Sequence, residues 1–135
     1  METPDILIVD DDADLRRTLV LLLGMQYKVV EAANGKEGLA LLATQRPRLI
    51  LLDITMPEMS GIEVLRAARK LDPTLRIVMS TSCQEIELAK SALDLGAIEY
   101  LTKPFDAAFI RGEVARLLAP PDEKRKNGRP WRVVE

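Results

Sequence analysis

The chain has no histidine and, in 135 residues, a single cysteine, Cys83. An internal disulfide is therefore excluded, as are the usual His-based zinc sites and His-dependent catalytic triads. Aromatic residues make up only 4% of the sequence, so aliphatic side chains must build the core. No basic N-terminal segment precedes an apolar signal core, and no apolar run is long enough to cross a bilayer. The expectation is a cytoplasmic, soluble protein with no membrane contact. Neither sign of charge dominates: the net charge is −2, which makes direct nucleic-acid binding by this chain an unfavoured reading.

What is present suits one globular domain, with 47% hydrophobic and 30% charged residues. Short apolar runs alternate five times with amphipathic stretches, the pattern of an α/β fold with a parallel sheet covered by helices on both faces. Strands are expected at Ile6–Val9, Lys28–Glu31, Leu49–Leu52, Arg76–Ser80 and Ile98–Leu101. The first, third and fourth are almost continuously apolar, as central strands buried on both faces should be. Helical spacing places Leu15, Leu19, Leu22 and Leu23 on one face, then Leu39, Leu42 and Ala43, then Ile62, Leu65 and Ala68. Ile86, Ala89 and Leu93 repeat it, as do Ile110, Val114 and Leu117. Ser60 with Glu63 and Ser82 with Glu85 read as capping boxes; Asn34-Gly35 and Asp106 mark further helix starts.

Residues 119–135, "APPDEKRKNGRPWRVVE", open on Pro120-Pro121 and carry five basic against three acidic side chains without periodicity over their first half. They read as a flexible tail or linker following a domain at 1–118. Seventeen residues after Leu118 are too few for a helix-turn-helix domain, so either a stand-alone module or part of a longer protein is expected.

The chemistry collects at the strand ends. "ILIVDDDADLRR" finishes a buried-looking strand on three acids, although two carboxylates about 4 Å apart repel by roughly 4 kcal/mol at an effective dielectric near 20. In open parallel sheets, ligands bind outside the carboxyl ends of the strands. The first strand delivers Asp10, Asp11 and Asp12 there, the third Asp53, the fourth Thr81 and the fifth Lys103. Asp12 and Asp14 are explained as a helix cap and a first-turn acid. Asp10, Asp11 and Asp53 instead make sense around Mg²⁺, which takes one or two carboxylates, waters and a phosphate oxygen. Asp53, on a separate strand, is the acid placed to act as a nucleophile toward phosphorus, needing no general base because a carboxylate is ordinarily ionised at neutral pH. Lys103 and Thr81 would then contact the anionic oxygens. Taken singly, Thr81 is a strand-end hydroxyl, Asp53 a turn residue and Lys103 an exposed cation; their joint placement on separate strand ends is what argues for a site.

The motifs "ILIVDDD", "LILLDITMPEMSG", "IVMSTS" and "ALDLGAIEYLTKPF", set in this fivefold alternation, give residues 5–118 a resemblance to the receiver domain of bacterial two-component response regulators. The resemblance implies a doubly wound, flavodoxin-like five-stranded parallel sheet in the order 2-1-3-4-5. It implies that Asp53 is the phosphoacceptor, Asp11 a direct metal ligand, Asp10 an acid acting through a metal-bound water, and Thr55 a donor of its backbone carbonyl to Mg²⁺, or to Mn²⁺ in its place. Thr81 and Lys103 correspond to the hydroxyl and lysine on the phosphoryl group, Tyr100 to the switch aromatic, and Pro104 to a proline that commonly follows a cis peptide. Thr55 and Cys83 fall where side chains tune water access to the acyl phosphate; Cys83 is otherwise an ordinary small residue.

The implied partners are a sensor histidine kinase or histidine phosphotransfer protein as donor and an effector protein or output domain as reader. A homodimer through the fourth helix, fifth strand and fifth helix is a further implication. The protein is expected not to be a turnover enzyme, beyond catalysing its own phosphorylation and slow dephosphorylation. Two rivals stand beside this reading. An aspartate-based phosphatase usually has a second acid two residues after its nucleophile, where this chain has Thr55; a binding-only module would be unchanged by phosphodonors.

Overall fold

A computed structural model describes residues 3–119. The described residues fall into two compact units, divided between Phe105 and Asp106. The first contains β1 (Ile6–Val9), α1 (Ala13–Leu23), β2 (Val29–Ala32), α2 (Gly35–Gln45), β3 (Leu49–Asp53), α3 (Gly61–Leu71), β4 (Arg76–Thr81), a 3-10 turn (Cys83–Glu85), α4 (Ile86–Asp94) and β5 (Glu99–Thr102). The second contains α5 (Ala107–Leu118), capped by the Asp106 carboxylate, which accepts from the Phe109 amide at 2.9 Å.

All five strands are parallel, in the order β2-β1-β3-β4-β5, the flavodoxin-like arrangement. The three runs with the least polar interruption, β1, β3 and β4, are the central ones, where backbone and side chains leave water together. Alternation divides their side chains between two faces. Leu7, Val9, Ile50, Leu52, Ile77 and Met79 join a core with Leu42 of α2, Val64, Leu65 and Ala68 of α3, and Ala89 and Ala92 of α4. Ile6, Ile8, Leu49, Leu51 and Val78 point the other way and are just as buried. Each such side chain contributes roughly 1.5–3 kcal/mol by leaving water.

Several expectations shift. β2 and β5 each begin and end one residue later than read, although the Lys28 carbonyl still accepts from the Asp5 and Ile6 amides and the Ile98 amide still reaches the Ile77 carbonyl; strand ends are ambiguous at that scale. Ala43 and Leu93 are exposed, not core. On α4 the buried pair is Ala89 and Ala92, whose small side chains let the helix lie close to the sheet. The Ser60–Glu63 capping box is present, whereas Ser82 and Glu85 form none: Ser82 precedes a 3-10 turn and its side chain caps nothing. The tail beyond Ala119 lies outside the described residues. Among those described, no helix is long and apolar enough to cross a membrane.

Candidate functional site

Register builds the site. Val9 pairs with Leu52 across β1 and β3, so Asp10 and Asp53 leave the sheet side by side at its carboxyl edge. On β4, Ser80 pairs with Asp53 and Thr81 with Thr102. The Lys103 amide donates to the Thr81 carbonyl at 2.7 Å, which brings the lysine to the same rim. Its Nζ lies 2.9 Å from Asp10 Oδ2 and 3.4 Å from Asp53 Oδ1, and the peptide that follows, Lys103–Pro104, is cis. One carboxylate oxygen from each of Asp10, Asp11 and Asp53 lies within 4.8 Å of the others, with Asp10 and Asp53 buried and Asp11 exposed. These four side chains, expected to converge, do converge.

The neighbours hold them in place. Asp10 Oδ1 accepts from the Asp12 amide at 2.9 Å, and Asp12 caps α1 by accepting from the Asp14 and Leu15 amides, so adjacent acids serve different tasks. Gly61 abuts the backbone just after the nucleophile candidate: its amide donates to the Ile54 carbonyl at 2.9 Å, and a Cβ added there would sit 2.2 Å from the Asp53 carbonyl oxygen. Arg16 was not anticipated. Its guanidinium donates to the Asp10 carbonyl at 2.7 Å and to Glu31 of β2 at 2.9 Å. A signal existed, since a cation near the N-terminus of α1 opposes the helix dipole and so implies an acidic or carbonyl partner nearby.

Three carboxylates against one ammonium leave the pocket short of positive charge. Burial, then the adjacent Asp10 carboxylate, raise the Asp53 pKa to about 7, against the lowering effect of Lys103. Asp53 is therefore not fully ionised at neutral pH, contrary to the simple expectation for a carboxylate. Burial alone would lower the Lys103 pKa, but its hydrogen bond to Asp10 and the charges of Asp10 and Asp53 outweigh that and raise it. Such a set fits a hard divalent cation: oxygen donors only, two of them desolvated and mutually repelling until positive charge is supplied.

The remaining expected residues are nearby but differently engaged. Thr81 is wholly buried, and its hydroxyl donates to the Ser82 carbonyl at 3.0 Å. The Ser80 hydroxyl is buried without a hydrogen-bond partner. Thr55 is exposed, and its hydroxyl donates to Glu85. Tyr100 is half-buried on β5 and packs against the core. Cys83 is exposed in the 3-10 turn. Glu85 was expected only as a cap; the same Ser-x-x-Glu spacing that suggested a capping box concealed its bond to Thr55.

The sheet and the pocket define a doubly wound α/β domain with an acidic cluster and one lysine outside the strand ends, where such folds place their ligands. The family model described as the response regulator receiver domain matches residues 6–115. Sporulation initiation phosphotransferase F of Bacillus subtilis (strain 168) is 35% identical over 119 residues, covering 87% of this chain and 96% of that protein. The uncharacterized transcriptional regulatory protein YkoG of the same organism is 41% identical over 129 residues, but the chain spans only 54% of its length. It spans 26% of the regulatory protein AtoC of Escherichia coli (strain K12). The solved receiver domain of NtrX from Brucella abortus matches with a TM-score of 0.80 at 32% identity, covering 84% of this chain and 98% of that one. The chain belongs to the response regulator receiver family and is a receiver domain of two-component signalling.

Proposed function

We propose that this receiver accepts a phosphoryl group from a phosphohistidine onto Asp53. The observation that carries the proposal is the position of Lys103 Nζ, 2.9 Å from Asp10 and 3.4 Å from Asp53, at the mouth of a cluster of three carboxylates. In the transfer, an Asp53 oxygen attacks phosphorus, the O–P bond forms and the donor's N–P bond breaks. The electron pair stays on the departing imidazole nitrogen, which takes its proton from solvent. Mg²⁺ or Mn²⁺ held by Asp10, Asp11, Asp53 and the Thr55 carbonyl would supply the charge that neutralises the transferring oxygens. Lys103 binds one of those oxygens as a fixed ammonium, and Thr81 donates its hydroxyl to another once it leaves the Ser82 carbonyl.

The product reads out as a population shift. Withdrawal of Thr81 toward the phosphoryl group makes room for Tyr100, and the changed surface binds an effector or output domain. Leu88 and Leu93 of α4 are exposed apolar side chains, which supports an interaction face on that helix. Self-association through α4, β5 and α5 belongs to the same reading. Donors are a sensor histidine kinase or a histidine phosphotransfer protein, and the setting is the cytoplasm.

Acetyl phosphate with Mg²⁺ tests the assignment by intact mass and peptide mapping. Wild type should gain one phosphoryl group at Asp53, and Asp53→Asn should gain none. Labelling at another residue, or none in wild type, defeats the assignment; continuous release of phosphate from unrelated phosphate esters would favour the phosphatase instead.

A further inference from the structure

Glu85 breaks a local rule. Ser82-Cys83-Gln84-Glu85 has the spacing of a capping box, and each such cap is worth about 1 kcal/mol. Nevertheless Ser82 and Glu85 make no side-chain cap, and α4 is reached through a 3-10 turn. The carboxylate is occupied across the loops instead. One oxygen accepts from the Thr55 hydroxyl, two residues after Asp53, and the other from the Ser82 hydroxyl at 3.4 Å, one residue after Thr81. The Ser82 carbonyl accepts both the Thr81 hydroxyl at 3.0 Å and the Glu85 amide at 3.1 Å. The Thr81 hydroxyl and the Glu85 backbone thus share one anchor, while the Glu85 side chain is fastened to the loop that carries Asp53.

We propose that Glu85 is a positioning residue for the phosphoacceptor site. Its bond to Thr55 fastens the loop after β3 to the loop after β4, whose Ser82 carbonyl holds the Thr81 hydroxyl, and its release lets the loop after β4 move and the hydroxyl turn to the phosphoryl group. The proposal rests on the reading of Asp53 as phosphoacceptor. It gives the carboxylate two alternative partners, Thr55 or the Ser82 amide, and makes the site's readiness depend on which of the two it holds. Where a sequence departs from local consistency, a functional demand is the expected reason.

Thr55→Val keeps the backbone carbonyl and removes only the hydroxyl. It should raise protection of the Ser82 amide from hydrogen exchange about fivefold in the unphosphorylated protein, because the freed carboxylate caps it. Labelling of Asp53 by acetyl phosphate should quicken by a similar factor, with a smaller change in the lifetime of the phosphoryl group. Glu85→Gln, which can still accept from Thr55, should stay near wild type. In the Glu85→Ala background, adding Thr55→Val should have no further effect on the labelling rate. Unchanged Ser82 exchange in Thr55→Val, or effects of Thr55→Val and Glu85→Ala that multiply, overturns the proposal while wild-type labelling keeps the phosphoacceptor reading intact. Absence of labelling in every variant including wild type overturns the phosphoacceptor reading and the positioning role with it.

Discussion

Replacing Gly61 by alanine tests whether the backbone behind Asp53 is as tightly fixed as the structure shows. The added Cβ would lie 2.2 Å from the Asp53 carbonyl oxygen and 2.7 Å from the Ile54 Cα. Both are backbone atoms of the β3 end, so no side chain can swing away. Relief requires α3 to retreat, which strains the 2.9 Å bond from the Gly61 amide to the Ile54 carbonyl and the Ser60–Glu63 capping box beside it. Overpacking against unyielding groups costs about 1–3 kcal/mol, and loss of the cap adds about 1. Gly112 of α5 is the control, since a Cβ there meets nothing within 4 Å. Alanine in that helix interior should stabilise by about 0.5–1 kcal/mol. Urea midpoints at constant m-value should therefore move in opposite directions for the two Gly→Ala substitutions. If Gly61→Ala were as stable as wild type, the close approach of α3 to the backbone at Asp53 and Ile54, and its positioning of Asp53, would be wrong.

Asp53→Asn should stabilise the metal-free protein at high pH. The Asp53 pKa rises on folding from 3.8 to about 7, so wild type loses stability as pH climbs between those values, by at most about 4 kcal/mol at 1.36 kcal/mol per unit. In chelator, urea midpoints of the two proteins should nearly coincide at pH 3.5 and diverge by pH 8, with divalent cation shrinking the gap; an Asn variant weaker at pH 8 contradicts the charge argument. Arg16→Met should destabilise by about 1–2 kcal/mol, because the Asp10 carbonyl loses its 2.7 Å donor. Coupling of Arg16 to Glu31 in a double-mutant cycle should stay below about 1 kcal/mol, because that pair is partly exposed. Glu58 sits in the loop after β3 with φ of 69°, where a side chain costs about 1–2 kcal/mol. Glu58→Gly should stabilise by about 0.5 kcal/mol net of the added chain entropy, and a fall in the urea midpoint would show that the glutamate side chain has a compensating contact.

The sheet was legible because its central strands have no polar alternative: "ILIV", "LILL" and "IVM" can be satisfied only by burial on both faces. The order of the strands was not in the periodicity, and it came from resemblance to receivers. Asp10, Asp11, Asp53 and Lys103 were legible because parallel strands deliver the residues at their ends to one rim wherever the helices happen to lie. Arg16, Gly61 and Glu85 were harder to see because their roles depend on approach between segments far apart in sequence. Glu85 shows the limit well. Its spacing from Ser82 satisfied a local rule, and the competing partner, Thr55, is 30 residues away. A local pattern specifies what a side chain can do, and the tertiary competition decides which of those bonds it makes.

The acids at the carboxyl ends of β1 and β3 also bear on the energetics of the proposed switch. Asp53 is held beside Asp10 with only Lys103 to offset their repulsion, so the free domain carries a cost that Asn at position 53 would remove. Anything that binds the site and relieves this cost favours whichever loop arrangement holds it best. Moving an equilibrium from 1:99 to 99:1 takes about 5.5 kcal/mol, more than one hydrogen bond from Thr81 supplies. Relief of the carboxylate repulsion at Asp53 contributes to that bias only so far as one loop arrangement relieves it better than the other, and a Glu85 cap only so far as it exceeds the bond to Thr55 that it replaces. These contributions must be measured as coupled quantities, because Asp53, Lys103, Thr81 and Glu85 share backbone and charge. If Asp53→Asn abolished phosphorylation without changing metal-free stability at pH 8, the site would be chemically competent but would hold no stored electrostatic cost, and the bias would have to come from partner binding alone.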